Sequence, residues 1–258
     1  MPPQAGSRLP EVRIVGVTGL PEVAPGDDIA ALVLDAAVAQ GTPLLDGDVL
    51  VVTQKVVSKA EGRLVELRTV EPSEMAREYA HRWGKDARQV EVVLREASRI
   101  VRMDRGVLIV ETKHGFVCAN AGVDASNTGR PGFVALLPED PDASAERIRA
   151  EVERRTGVRV SVIISDSFGR PWREGIDQVA LGVAGLLPLR DYTGQADPDG
   201  YELRVTQVAL ADEMAAAAEL VMGKLDRVPA AIVRGYAVPP GAGSGRQLLR
   251  EPEKDLFR

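Results

Sequence analysis

Hydrophobic positions along the chain form two patterns, which together predict a mixture of strands and helices. Short runs rich in Val and Ile, bounded by Gly, Pro or Asp, are typical of buried strands. Such runs predict strands at residues 12–17, 49–53, 100–103, 107–111, 116–120, 158–164 and 230–233. Apolar positions at helical spacing predict helices at residues 28–40, 72–81, 87–97, 143–155 and 208–222.

The order of these elements favours an α+β fold. Asp27 or Asp28 caps the first helix, which Gly41 ends. The three strands within residues 100–120 are predicted to form an antiparallel meander, and residues 241–245 a glycine-rich loop. The strand at 158–164 is predicted to end at Ser165-Asp166. Because consecutive strands are mixed with helices, a regular doubly wound sheet is disfavoured.

Composition narrows the class of protein. The 258 residues suffice for one large domain or two small ones. A net charge of −6 without a basic stripe argues against a nucleic-acid-binding protein. The first ten residues contain three prolines and no apolar run, which is not typical of a signal peptide. The longest apolar stretch, near residues 179–189, falls short of the roughly 20 residues that span a bilayer.

A single cysteine, Cys118, excludes an intramolecular disulfide and suits a reducing compartment. We therefore predict a cytoplasmic protein that binds neither nucleic acid nor membrane. One cysteine and two distant histidines cannot form the usual cage of nitrogen and sulfur ligands around zinc. Cys118 and His114 could form a nucleophile pair, but two positions four apart on a predicted strand more often reflect sheet packing.

Neither of the common nucleotide-binding motifs, the P-loop and the dinucleotide-binding glycine fingerprint, is present. Instead, polar segments follow predicted strands. Residues 53–62 place Lys55 and Lys59 directly after a buried strand, where they can bind phosphate oxygens. The alternative is a solvated strand exit. Residues 18–23 indicate only a turn.

Two further segments carry carboxylates. Residues 120–127 surround Asp124 with small residues, and Asp oxygens suit Mg²⁺. The alternative is a polar turn with local hydrogen bonds. Residues 164–175 contain Asp166 and Ser167, which can hold Mg²⁺, followed by Arg170 and Arg173, which match phosphate or carboxylate groups. The alternative there is a helix cap followed by a surface loop.

Taken together, these segments resemble the coenzyme F420:L-glutamate ligase (gamma-glutamyl ligase) family. The resemblance extends over about residues 12–250, in the family's order and spacing. The matching stretches are residues 19–21 with 25–28, 48–52 leading into 57–62, 121–127, 164–167 with 169–170, and 233–235.

The resemblance implies the reaction. In the family, GTP phosphorylates the carboxylate on the lactyl phosphate arm of a deazaflavin precursor, F420-0. The amine of L-glutamate then attacks the acyl phosphate, giving an amide, GDP and phosphate, and further glutamates are joined through the γ-carboxylate.

The resemblance also implies roles for individual residues. Asp124 and Asp166 correspond to ligands of one divalent ion and Ser167 to a ligand of a second, both Mg²⁺ or Mn²⁺. Lys59, Asp124 and Asp166 are the implied catalytic residues. The implied GTP contacts are Leu20, Pro21, Glu22, Val23, Gln54, Lys55, Lys59, Asn127, Met222, Gly223 and Lys224.

One of these positions departs from the family. Some members have an acidic metal ligand where this chain has Lys224, and we hypothesise that Lys224 replaces part of the charge of the second ion. Arg170 and Arg173 are our own candidates for binding the acidic arm of the substrate.

The implied fold is a two-lobed α+β unit over residues 1–258, with discontinuous lobes and an intertwined homodimer. Some bacterial relatives continue into a flavin-binding, nitroreductase-like domain, and this sequence stops before that point.

Two alternative functions stay open. One is another metal- and nucleotide-dependent amide ligase or phosphoryl transferase acting on a different acid. The other is a non-catalytic binding or assembly module with Asp124 and Asp166 as turn residues.

Overall fold

The computed structural model describes residues 10–255. Residues 1–9, whose composition is not typical of a signal peptide, lie outside that range. The protein is α+β, as predicted. Numbered along the chain, the strands are β1 (Arg13–Val17), β2 (Val49–Thr53), β3 (Leu64–Glu66), β4 (Ala97–Asp104), β5 (Val107–Thr112), β6 (Val117–Ala119), β7 (Phe133–Ala135), β8 (Ser161–Arg170), β9 (Arg173–Ala184), β10 (Arg190–Asp191), β11 (Gln207–Val208) and β12 (Ala230–Arg234). The α-helices are α1 (Ile29–Ala39), α2 (Gln54–Ala60), α3 (Glu74–Trp83), α4 (Ala87–Glu96), α5 (Pro141–Thr156) and α6 (Leu210–Met222).

A five-stranded mixed sheet organises the larger part of the fold, with strand order β1-β12-β2-β8-β9. Strands β2 and β8 run parallel, and the other neighbours run antiparallel. Both faces of β2 are buried, and its side chains point alternately to one face and to the other. Leu50 and Val52 face a core that includes residues of α1 and α5, whereas Val49 and Val51 face residues of α6.

A second, smaller core lies between α2 and α5 in the sequence. It joins α3 and α4 to the antiparallel meander β4-β5-β6, which confirms the predicted meander. Tyr79, Val93 and Val110 are buried in it. Strands β3 and β7 pair where the chain enters and leaves this core.

Local sequence explains where the helices begin and end. Asp28 accepts a hydrogen bond from the backbone nitrogen of Ala31 at 3.0 Å and caps α1. Ser73 and Asp140 cap α3 and α5 in the same way. Gly157 ends α5 with a φ of 72°, a conformation that glycine adopts without strain. The helices predicted around α1, α3, α4 and α5 are confirmed, with ends shifted by a few residues.

The structure corrects the prediction that a strand ends at Ser165-Asp166. Strand β8 continues to Arg170 and turns directly into β9. The continuation depends on antiparallel pairing with β9, in which Asp166 lies opposite Val179. Sequence analysis assigned no strand to residues 173–184. The alternative of a helix cap and surface loop at residues 164–175 is therefore wrong.

Two other predictions need correction. Residues after β2 do not form a solvated strand exit, because Gln54–Ala60 is the helix α2. The helix predicted from residue 208 begins at Leu210, since Val208 pairs in β11 with Arg190. Within residues 10–255, no helix is both long and apolar enough to cross a membrane.

Contact between β9 and α5 generates a stability prediction. A Cβ atom at Gly182 would overlap the backbone carbonyl of Pro141 and would lie 2.6 Å from the nitrogen of Asp142. Backbone atoms cannot move aside as a flexible side chain can. We expect Gly182→Ala to lower the free energy of unfolding by about 1–3 kcal/mol in urea titrations.

Gly169→Ala is the matched control. Gly169 lies in β8 of the same hairpin, and a Cβ atom there meets nothing within 4 Å. We expect a change within about 0.5 kcal/mol. Equal effects of the two substitutions would contradict the close β9–α5 contact.

Candidate active site

The first element of the site is the carboxylate of Asp166. It lies on β8 just beyond an irregularity in the β8–β9 register between Ile164 and Ser165. The carboxylate receives a hydrogen bond from the backbone of Ser167, and burial raises its pKa from 3.8 to about 6. A neighbouring negative charge on Asp124 adds to this rise, whereas Lys55 and Lys224 oppose it.

Asp124 reaches the same region from the second core. Its backbone pairs with that of Ala135, with N–O distances of 3.0 and 2.8 Å. The carboxylate accepts hydrogen bonds from the backbone nitrogen of Ser126 at 2.7 Å and from its hydroxyl at 2.9 Å. The local bonds foreseen in the polar-turn alternative are therefore present. Burial acts to raise the pKa of Asp124, but hydrogen bonds from Lys55 and Ser126 outweigh it and lower the pKa.

Lys55 connects the two cores. It lies in the first turn of α2, which follows β2, and its ammonium group forms an ion pair with Asp124. The same group donates to the carbonyl oxygen of Ser126 at 2.8 Å. Because β2 and β8 are parallel, with Thr53 opposite Ser165, their carboxyl ends meet at one edge of the sheet. That topology places Lys55 close to both aspartates.

Lys59 lies one helical turn further along α2 and is buried, at 5 % exposure. It forms an ion pair with Glu22, which brings the segment 18–23 to the site. Gln54, also on α2, is buried, and its amide oxygen accepts a hydrogen bond from Ser58 at 2.8 Å. Its side chain therefore packs inside the protein.

Beside the Lys59–Glu22 pair lies a cavity of about 110 Å³. Its lining comes from three separate segments of the chain: Glu22, Val23, Ala24, Pro25, Leu64, Thr128, Gly129 and Arg130. Leu20 packs against the core of the large sheet, while Asn127 is exposed with a φ of 51°. Sequence analysis missed Arg130, because nothing in its local sequence distinguishes it from other surface arginines.

Ser167 is surrounded by groups that sequence analysis did not find. Its hydroxyl accepts hydrogen bonds from Lys224 and, at 3.0 Å, from the amide of Gln178. Glu219 pairs with Lys224 at 2.9 Å and accepts from Gln178 at 2.8 Å. Gln178 lies opposite Ser167 in β9, and Glu219 lies in the last turn of α6. In the sequence, Glu219 stands out only as a charged residue in an alanine-rich helix.

The end of α6 explains how Lys224 reaches Ser167. Met222 is buried in the core between α6 and the sheet, at 1 % exposure. Gly223 follows with a φ of 59° and ends the helix. These two residues fix the direction in which Lys224 leaves α6.

Arg170 and Arg173 lie at the far end of the β8–β9 hairpin. Arg170 pairs with Asp177 at 2.8 Å, and Arg173 is exposed. Within residues 10–255, neither arginine forms an ion pair with Asp124 or Asp166. The role we assigned to them in substrate binding remains a prediction.

Cys118 and His114 do not form a nucleophile pair. Burial, with a smaller contribution from the negative charge of Asp166, raises the pKa of the Cys118 thiol to about 12. The thiol is therefore protonated at neutral pH and is a poor nucleophile. His114 lies outside β6, and its Nε2 atom is 2.9 Å from the carbonyl oxygen of Pro138.

Asp124 and Asp166 are the residues that would hold a divalent ion, because Mg²⁺ prefers carboxylate oxygens. Among residues 10–255, no three His, Cys, Asp or Glu side chains form a group that could hold a metal ion. However, Mg²⁺ usually takes only one or two protein carboxylates and completes its shell with phosphate and water. The half-buried carboxylate of Asp166 accepts from the backbone of Ser167 but forms no ion pair and no hydrogen bond with another side chain within the described residues, which suits a role as a ligand.

The fold and the site define a class: an α+β protein in which two cores bring carboxylates and lysines together at the edge of a mixed sheet. Residues 18–235 match the model of the F420-0:Gamma-glutamyl ligase family. The chain belongs to this family.

Relatives align along nearly the whole chain. A coenzyme F420:L-glutamate ligase of Methanothermobacter thermautotrophicus is 49 % identical over 96 % of this chain and 99 % of its own length. A ligase of the same name from Methanopyrus kandleri is 48 % identical over 97 % of this chain and 99 % of its own. A third, from Methanocaldococcus jannaschii, is 46 % identical over 96 % and 97 %.

Because Asp166 is desolvated, we expect its carboxylate to destabilise the folded protein by an amount that depends on pH. A carboxyl whose pKa rises from 3.8 to about 6 on folding lowers the free energy of unfolding by roughly 3 kcal/mol when the pH is above both pKa values. The cost fades as the pH falls through 6 and is absent below 3.8. We therefore expect Asp166→Asn to stabilise the metal-free protein by roughly 3 kcal/mol at pH 8 and hardly at all near pH 4.

Urea unfolding without divalent metal, repeated across this pH range, measures the difference. Asp35→Asn is the control, because Asp35 is exposed on α1; we expect a change within about 0.5 kcal/mol at every pH. A destabilised Asp166→Asn protein at pH 8, or a gain independent of pH, would contradict the prediction.

Proposed function

We propose that the protein ligates L-glutamate to the deazaflavin precursor F420-0, using GTP and a divalent ion. Three relatives that cover at least 96 % of the chain bear the name coenzyme F420:L-glutamate ligase. The observation that carries the proposal is the meeting of Asp124 and Asp166 with Lys55, while Lys59 lies one turn further along the same helix. These are the groups that binding a metal–triphosphate requires.

In the proposed first step, a carboxylate oxygen of the precursor attacks the γ-phosphorus of GTP, and the bond from that phosphorus to the β–γ bridging oxygen breaks. The products are an acyl phosphate and GDP. Asp124 and Asp166 would hold the divalent ion, which supplies Lewis-acid stabilisation of phosphate charge. Lys55 and Lys59 add positive charge, and Lys55 can shift from Asp124 to a phosphate oxygen on its flexible stem.

In the second step, the amine of glutamate attacks the acyl carbon. A C–N bond forms, the C–O bond to phosphate breaks, and the amine proton passes to solvent or to phosphate. The protein's contribution is to hold the acyl phosphate and the amine in contact, since orientation alone removes much of such a barrier.

Glu22 offers a physical reason for GTP over ATP. Its carboxylate lines the cavity beside Lys59 and is an acceptor with two oxygens. Guanine presents two adjacent N–H donors on its pairing edge, which a carboxylate can accept together. Adenine presents an acceptor at one of those positions, so the same carboxylate would repel it.

Three further features remain part of the proposal. The two cores correspond to two lobes, the smaller inserted into the larger between α2 and α5. The protein acts as a homodimer, and it acts in the cytoplasm. Of the alternatives, a non-catalytic module is disfavoured because a turn residue would not need a buried carboxylate such as that of Asp166.

GDP release in the presence of GTP, Mg²⁺, L-glutamate and F420-0 tests the function directly, with mass spectrometry of the product. We expect precursor-dependent GDP release with glutamyl addition. Asp166→Asn should lower the rate by about 10² or more, because a carboxylate bound to the ion is lost. Asp35→Asn should leave the rate unchanged, since Asp35 is exposed on α1.

Other outcomes decide between the alternatives. GTP binding without glutamyl addition would favour a ligase or phosphoryl transferase that acts on a different acid. Failure to bind any nucleotide would refute the proposed function.

A further inference from the structure

Lys224 occupies the position expected of a second cation. Its ammonium group lies between the hydroxyl of Ser167 and the carboxylate of Glu219, with 2.9 Å to the latter. Ser167 directly follows Asp166 in β8, and the positive charge of Lys224 acts to lower the pKa of Asp166. A second positive group, besides Lys55, therefore acts on the carboxylate of Asp166.

The surroundings of Ser167 are unsuited to a metal ion. A serine hydroxyl has two acceptor lone pairs. Both are used, because Lys224 and the amide nitrogen of Gln178 each donate to the oxygen. Coordination of a metal by this oxygen would require the loss of at least one of these hydrogen bonds.

The orientation of Gln178 strengthens this conclusion. Its amide nitrogen also donates to Glu219 at 2.8 Å, which leaves its amide oxygen buried without a hydrogen-bond partner. Reversing the amide would set that oxygen against the carboxylate of Glu219. Glu219 therefore fixes a donor, and not a metal ligand, beside Ser167.

Electrostatics point in the same direction. Lys224 pairs with Glu219, so the negative charge of this carboxylate is already compensated. A divalent ion placed beside Ser167 would meet the ammonium group of Lys224 at short range, and the negative charge of Glu219 is already paired with that group. Like charges at such distances repel strongly in a partly buried site.

We propose that Lys224 replaces the second divalent ion, so that each chain binds one divalent ion with the nucleotide. Two of its three N–H donors hold Ser167 and Glu219, and the third is available for a phosphate oxygen. Glu219 is a positioning residue, because it acts through Lys224. The inference rests on the proposed function and departs from the two ions that the resemblance implies.

Counting bound Mn²⁺ tests the proposal without measuring activity. The intact chain is saturated with a non-hydrolysable GTP analogue, and bound Mn²⁺ is measured by equilibrium dialysis and electron paramagnetic resonance. We expect one Mn²⁺ per chain for the natural sequence. Lys224→Ala should bind two, because it releases a lone pair of Ser167 and the carboxylate of Glu219.

A double variant distinguishes the effect of the Glu219 charge from a general disturbance of the local structure. Lys224→Ala combined with Glu219→Gln removes the carboxylate as well, and we expect the count to return to one. In Lys224→Ala, the GTP analogue should bind about tenfold more weakly when Mn²⁺ suffices for one site only, because a charge-assisted hydrogen bond is lost. Added Mn²⁺ should restore the affinity.

Each outcome supports or overturns the proposal. Two Mn²⁺ on the natural chain would overturn it while leaving the ligase function intact, and this result needs no variant. A count of one in Lys224→Ala at saturating GTP analogue would overturn it too, whatever the nucleotide affinity. No Mn²⁺ and no binding of the analogue would refute the proposed function itself.

Discussion

Burial of a charged carboxylate at Asp166 is the constraint on which the site depends. This group is half-buried at the edge of the main sheet, and its desolvation raises its pKa to about 6. Asp124 makes the position less favourable still, because it places a second negative charge nearby. The positive charges of Lys55 and Lys224 act in the opposite direction and favour the ionised carboxylate. Such an arrangement lowers the stability of the ligand-free protein and is typical of a functional site.

Topology explains how distant segments meet around this carboxylate. The parallel pairing of β2 with β8 sets Thr53 opposite Ser165, so the start of α2 lies next to Asp166. The second core contributes Asp124 through its backbone pairing with Ala135. Because the ion pair between Lys55 and Asp124 spans the two cores, any relative movement of the cores would alter the site.

Membership of the gamma-glutamyl ligase family coexists with a distinctive charge arrangement at the end of α6. Lys224, Glu219, Gln178 and Ser167 form one hydrogen-bonded group, with separations of 2.8–3.0 Å for three of its contacts. In this group the lysine is a fixed cation held by a carboxylate. Its ammonium group supplies a positive charge beside Ser167, and phosphate oxygens are among the groups that accept hydrogen bonds from such a charge.

Sequence by itself determined the features that depend on neighbouring residues. Apolar periodicity and capping residues such as Asp28 located α1, β2 and α5, and ordered polar segments singled out Asp124, Asp166 and Lys55. Tertiary structure alone decided that β8 continues past Asp166, because that strand exists through pairing with β9. It also decided that Gln178 and Glu219 surround Ser167. Strand pairing and helix packing join residues far apart in the chain, and a local pattern carries no signal of those contacts.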